Sequence, residues 1–182
     1  MQRTAGVALL CAAALVCVSC GYALAGRGNA LPEKIRIIGV PDFTNRSTVA
    51  NVDRVLADAV RREFINKGKY EVRPESGGVD GLLTVTIISA LPRPKTFDTD
   101  NRPSSYVIEV IANVEFKDLT DPAEGGKVLW ANPSFRMTDD YETAGTSGVL
   151  DQTALNSASD QALERLGQKF AKDVVTSIFE AF

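Results

Sequence analysis

The sequence predicts an α+β domain, a two-layer sandwich in which a mostly antiparallel or mixed sheet packs against two helices. Two observations carry this expectation. Apolar residues recur at three- and four-residue spacing in two separate stretches, residues 52–64 and 162–178, and alternate with polar ones between them, from Leu83 to Ile87 and from Tyr106 to Phe116. A period near 3.6 buries one stripe of a helix, and a period of 2 buries one face of a strand. A run of strands with helices on either side of it in sequence favours layered α+β packing.

Taken in order, residues 34–40 (Lys-Ile-Arg-Ile-Ile-Gly-Val) are rich in β-branched side chains and stop at Pro41, as a first strand does. Turn-forming residues follow from Asp42 to Ser47. Val52, Val55, Leu56, Ala59, Val60 and Phe64 then make one apolar face, with Asp53, Arg54, Asp58, Arg61 and Arg62 opposite, and Gly68 supplies the helix stop. Residues 70–73 read as a short strand and 74–81 as a turn-rich link. Leu83, Val85 and Ile87 alternate with Thr84 and Thr86, giving a strand with one buried face. Residues 91–104, with Pro92, Pro94 and Pro103, read as a stiff polar loop between the two strongest strands.

The clearest β signal is residues 105–117. Tyr106, Ile108, Val110, Ala112, Val114 and Phe116 share one side, and Glu109, Asn113, Glu115 and Lys117 share the other. After a loop at 118–126, residues 127–130 and 134–137 read as one strand interrupted at Pro133, which cannot donate a ladder hydrogen bond and marks an edge or a bulge. Ala162, Leu163, Leu166, Phe170, Val174 and Ile178 define a long final helix beginning near Asp151.

The amino terminus has a different character. Arg3 precedes an uncharged apolar run, residues 5–18, that is shorter than the roughly 18 or more residues favouring a membrane span. Small Ser19 before Cys20 resembles the lipobox of bacterial lipoproteins, although Cys17 stands where that motif usually has Leu. Residues 1–19 are accordingly expected to be a lipoprotein signal peptide, residues 20–33 a lipidated tether and residues 34–182 the folded domain. An uncleaved helix or an ordinary secretory signal is the competing reading. All three cysteines (Cys11, Cys17, Cys20) lie in this segment, so the folded part has no thiol for a disulfide, a metal or a nucleophile.

Composition narrows the chemistry further. The chain has no histidine, which excludes Ser-His-Asp triads, Cys–His pairs and His-ligated zinc together. The 20 Lys+Arg against 23 Asp+Glu give no basic field for nucleic acid. Asp139, Asp140 and Glu142 form the tightest acidic group. Carboxylates could still act as acid and base or hold a metal, the remaining enzymatic alternative, but without glycine-turned calcium-loop spacing these read as a solvated loop after a strand. Glu75-Ser-Gly-Gly-Val lacks the lysine and following helix of a phosphate loop. No catalytic residue, metal or cofactor is expected.

The order and spacing of several segments resemble the lipopolysaccharide-assembly lipoprotein family, LptE. These are Cys20-Gly21-Tyr22-Ala-Leu-Ala-Gly26, Leu31-Pro32, the strand 35–41 leading into Phe43-Thr-Asn45, Arg61-Arg-Glu-Phe64, Tyr70-Glu-Val-Arg73 and Lys127-Val-Leu-Trp-Ala-Asn-Pro133. The resemblance implies a two-helix, four-stranded sandwich anchored in the outer membrane through acylated Cys20, palmitate included, and facing the periplasm. It also implies a non-enzymatic role: plugging and assisting assembly of a large LptD-like β-barrel, and binding lipopolysaccharide on its way to the cell surface. Gly21 after the cysteine, rather than Asp, permits outer-membrane sorting under the enterobacterial rule. Family members contact lipid A phosphates through basic surface residues, for which Arg93, Lys95 and Arg102 are the candidates here. Trp130 reads as packing or as part of the barrel contact. Asp42-Phe43-Thr44-Asn45 also fits accessory lipoproteins of secretion pores or peptidoglycan synthases, the CsgG and LpoB groups, which are the alternative.

Overall fold

Leu31 is the first residue described, and its backbone N–H donates to the Tyr70 hydroxyl at 3.2 Å. The computed structural model describes residues 31–121, 125–142 and 152–182, so the signal segment, Cys20 and most of the tether lie outside the described residues. Strand β1 is Ile37–Gly39, shorter than the expected 34–40. The chain is still turning before it, with Ile35 N–H bonded to Pro32 C=O at 2.9 Å. The Asp80 carboxylate then takes the N–H groups of Arg36 and Ile37, both at 2.9 Å, where a neighbouring strand would otherwise do so. Inside the expected turn, β2 (Thr44–Asn45) adds a two-residue strand. The Asn45 side chain organises the lead into the first helix, accepting from the Ser47 N–H and hydroxyl and donating to Val49 C=O.

Helix α1, Val52–Asn66, buries Val52, Leu56, Ala57, Ala59, Val60 and Phe64, nearly the predicted apolar stripe. Gly68 ends it at φ 70°, a conformation that favours glycine, with its N–H on Ile65 C=O at 2.9 Å. On the polar face, Arg61 turns back to the sheet and donates to Val40 C=O (2.9 Å), Asp58 (2.9 Å) and Asp42 (2.7 Å). One guanidinium thus fixes the helix to the β1–β2 connection.

The sheet order is β3-β1-β4-β5-β6, with β2 also on β4, where β3 is Glu71–Arg73, β4 Gly81–Phe97, β5 Pro103–Asp118 and β6 Lys127–Glu142. It is mixed. β1 runs parallel to β3 and β4, and β2 parallel to β4, while β4, β5 and β6 are antiparallel. Parallel neighbours need a crossover connection, which α1 provides between β1 and β3. The six strands exceed the four implied by the resemblance because β2 and β3 are two- and three-residue additions.

The expected loop 91–104 is corrected: β4 runs on to Phe97 and β5 begins at Pro103. The turn is 98–102, closed by Asp98 N–H on Arg102 C=O (2.8 Å), with the Asp98 carboxylate accepting from the N–H groups of Asp100 and Arg102. Pro92 and Pro94 pair with Ile108 and Tyr106. Their spacing of two puts both imide nitrogens on one edge of β4. Beyond Ile87 the edge away from β5 meets no strand among the described residues, so no ladder bond is lost there.

At Pro133 both expectations hold. Ala112 pairs with Phe135 and Val114 with Asn132, so Pro133 and Ser134 oppose Asn113 alone, and β6 is the outermost strand. Helix α2, Gln152–Glu180, closes the second layer. Gly167 lets the helices approach closely, since a methyl there would lie 3.3 Å from Val55 Cγ1 and 3.6 Å from Ala59 Cβ. Both helices cover one face of the sheet, where Leu83, Val85, Ile87, Ile108, Val110, Ala112, Val114 and Phe116 are buried.

Asp118, 4% exposed, pairs with Lys34 and accepts from the Thr120 N–H and hydroxyl. Burial pushes its carboxyl up, but the Lys34 and Thr120 hydrogen bonds outweigh that and hold it below the ordinary 3.8. A depressed folded value adds stability that is fully present above 3.8 and is lost as pH falls through the lower folded value. Urea midpoints measured from pH 6 down to pH 2 are expected to fall below pH 4, and less steeply for Asp118→Asn, which begins from a lower plateau. Parallel curves would exclude Asp118 as a source of the acid sensitivity.

Candidate functional site

The extended β4–β5 hairpin carries all three predicted cations but does not converge them. Arg93 stands on β4, four residues and roughly 13 Å before the end of the strand. Lys95 occupies the bulge between Pro94 and Thr96 and forms an ion pair with Asp140 of β6. Arg102 lies at the turn, 3.9 Å from Asp100.

A different cation joins Arg93. Glu109 of β5 pairs with Arg136 of β6 and stands 4.0 Å from Arg93 of β4, making a row across three strands. Glu109 lies on the opposite face of β5 from buried Ile108 and Val110, and therefore on the face that the helices leave uncovered. Both guanidinium side chains are about 60% exposed (62% and 60%), whereas Glu109 is only 17% exposed. Two forks sharing one recessed carboxylate leave a net positive charge with free N–H donors, the chemistry that receives a phosphate or carboxylate. Sequence reasoning missed Arg136. Its place on the polar side of the 134–137 alternation was readable, but the register bringing it beside Glu109 was not.

The acidic group is also corrected. Asp139, Asp140 and Glu142 belong to β6, not to a solvated loop. Asp139 shares a face with Phe135, Met137 and Tyr141, is 7% exposed, and receives Arg165 Nε at 2.9 Å and Lys169 Nζ from α2. Its role is to staple the helix to the sheet. The alternation Phe135, Met137, Asp139, Tyr141 was the available signal. No group of acidic residues able to hold a metal occurs among the described residues. Trp130 is half-buried, edge-on to Phe135 at 6.5 Å, and Phe135 in turn meets Phe170 at 5.2 Å. These contacts give Trp130 a packing role.

A family model for LptE, described as lipopolysaccharide-assembly, matches residues 35–178. The chain belongs to the LptE family. This places it in a non-enzymatic accessory lipoprotein family that acts in lipopolysaccharide assembly. Among curated proteins none matches the chain by sequence. Among solved structures it is similar to an uncharacterized lipoprotein B of Nitrosomonas europaea, with 10% identity and a TM-score of 0.52 over 87% of this chain and 90% of that one. A hypothetical protein of Chlamydia trachomatis gives 9% identity and a TM-score of 0.50 over 79% and 98% of the two chains. At such identities the likeness to these structures concerns the fold alone, and it agrees with two helices on a mixed sheet.

Proposed function

We propose that the chain is an outer-membrane lipoprotein, acylated at Cys20 after removal of residues 1–19, that plugs an LptD-like barrel, assists its assembly and takes part in lipopolysaccharide transport. The observation that carries this reading is the match over residues 35–178, which spans every strand and nearly all of both helices. The lipid A phosphates then meet the uncovered sheet face at Arg93 and Arg136, with Lys95 and Arg102 further along the hairpin. The row across Glu109 supports that assignment, because a hydrogen bond to Glu109 holds the Arg136 guanidinium in place before a phosphate arrives, with Arg93 4.0 Å from the same carboxylate.

The test measures two properties of the same protein. Detergent extraction and affinity capture of the full chain is expected to recover a large β-barrel in stoichiometric amount. Recovery of a synthase or of a homo-oligomeric pore would favour the accessory-lipoprotein alternative. Replacing Arg93, Lys95, Arg102 and Arg136 by Ser is expected to weaken lipopolysaccharide binding at least tenfold at low salt, since charge-assisted contacts contribute about 1.5–3 kcal/mol each before screening. The difference shrinks as salt rises. Exposed ion pairs contribute about 0–1 kcal/mol, so barrel capture and thermal stability change little. Unchanged affinity at low salt would remove the hairpin from the binding surface.

A further inference from the structure

The end of the domain opposite the hairpin turn gathers exposed lysines and apolar side chains that the phosphate surface does not use. There β1 and β4 start, β5 ends at Asp118 beside the start of β6, and the carboxyl ends of both helices meet, with Phe179 of α2 beside Phe64 and Tyr70. Leu31, the first described residue, is held here by the Tyr70 hydroxyl.

Five of the eight lysines in the sequence (Lys34, Lys67, Lys69, Lys117 and Lys127) lie along this end, from Lys69 before β3 at one edge of the sheet to Lys127 on β6 at the other. Lys34 is 53% exposed over a carboxylate, Asp118, that is itself buried, so solvent meets the ammonium group rather than the acid. Lys69 and Lys127 have no carboxylate within ion-pair distance among the described residues. Lys67, though 3.5 Å from Glu63, also lies 5.9 Å above the Phe179 ring. Lys67 and Lys69 border a hollow of about 270 Å³ with Tyr70 and Phe179 in its walls and Glu180 as its acidic member. On the last turn of α1 and just after α2, Ile65 and Phe182 expose large apolar side chains, 57% and 41%. Exposed aliphatic and aromatic groups among lysines are the composition that settles at a lipid–water boundary.

We propose that this end docks on the bilayer surface that holds the acyl anchor, with Ile65 and Phe182 entering the headgroup layer and Lys67, Lys69 and Lys127 meeting anionic phospholipid headgroups. The proposal rests on the acylation of Cys20 given above. From Cys20 to Leu31 the tether spans eleven residue steps, at most about 40 Å when fully extended and about half that as a flexible coil. A surface confined within that distance is present at high effective concentration, so a weak patch suffices. The arrangement orients the domain with its phosphate-binding hairpin away from the bilayer until a barrel takes it up.

The test uses the full acylated chain in vesicles of phosphatidylethanolamine and phosphatidylglycerol containing spin-labelled lipid as a quencher. An environment-sensitive fluorophore is attached at Ile65→Cys, or at Asp100→Cys on the hairpin turn as the distant control. The probe at 65 is expected to be quenched several-fold more than the probe at 100, and the K67E/K69E pair is expected to reduce the docked fraction about tenfold at low salt. A chain that floats with vesicles while position 65 stays unquenched overturns docking. So does equal quenching at both positions, or indifference to the lysine replacements. Failure of the anchor shows separately, as a chain that does not float and whose Cys20 still takes label, and it overturns the tethered form of the proposal as well.

Discussion

Val110→Asp is expected to cost about 3–5 kcal/mol, a large fraction of the roughly 5–15 kcal/mol that holds a domain of this size together. Val110 has no solvent exposure, and its neighbours across the sheet are Ala90 on β4 and Met137 on β6. A carboxylate there has neither water nor a cation of its own. The nearest acid on the same face is Asp139, which pairs with Ile108 one step along the ladder and is already matched to Arg165 and Lys169. A new charge diagonal to it, about 7–8 Å away, adds repulsion to desolvation. Urea denaturation is the measurement. Glu115→Gln, on the opposite face and paired with Lys117, is expected to change the unfolding free energy by about 0.5 kcal/mol or less. Similar shifts for the two would mean that the buried and open faces of β5 had been exchanged.

Phe64→Ala is expected to be of comparable size, for a different reason. The Phe64 ring is fully buried where α1, β5 and α2 meet, 6.4 Å from the Phe116 ring and 6.2 Å from that of Phe179. Removing it loses the transfer free energy of a phenyl group and leaves a cavity that three separate elements cannot close together, about 3–5 kcal/mol in all. Thermal unfolding is expected to drop by about 10 °C or more. Phe97, 55% exposed at the end of β4, serves as the contrast, and its replacement by Ala is expected to shift the transition by less than about 2 °C. A small effect at Phe64 would place the packing centre elsewhere.

The layered fold was legible because its signals are local. Val52 to Phe64 and Tyr106 to Phe116 declare their periods within a single element, and Pro133 announces a broken ladder from its own chemistry. Residues 91–97 misled because proline argues against strand wherever the open edge is unknown, and the edge of β4 is decided by how far β1 and β2 extend. The candidate surface divides in the same way. Arg93, Lys95 and Arg102 were found as basic residues in one segment, whereas the pairing of Arg93 with Arg136 through Glu109 depends on the register of three strands, a long-range property. Asp139 was misread because a carboxylate on an apolar face becomes intelligible once the two cations of a helix 26 and 30 residues away are known.

The bulge at Pro133 has a consequence for how the protein survives in a crowded envelope. Among the described residues the outer edge of sixteen-residue β6 is unpaired, and such a border offers its backbone to any extended chain that drifts past, including another copy of itself. Pro133 removes one donor from that border, and the extra residue beside it throws the two halves of β6 out of a common repeat. The ladder shifts again at Leu129, so an incoming strand can follow short stretches of this border but not all of it in one register. Lys127 stands at the start of the first half, and Arg136, Asp140 and Glu142 interrupt the second. The irregularity therefore acts as a guard against strand-by-strand self-association, and a Pro133→Val chain is the one to watch for slow fibre growth on storage.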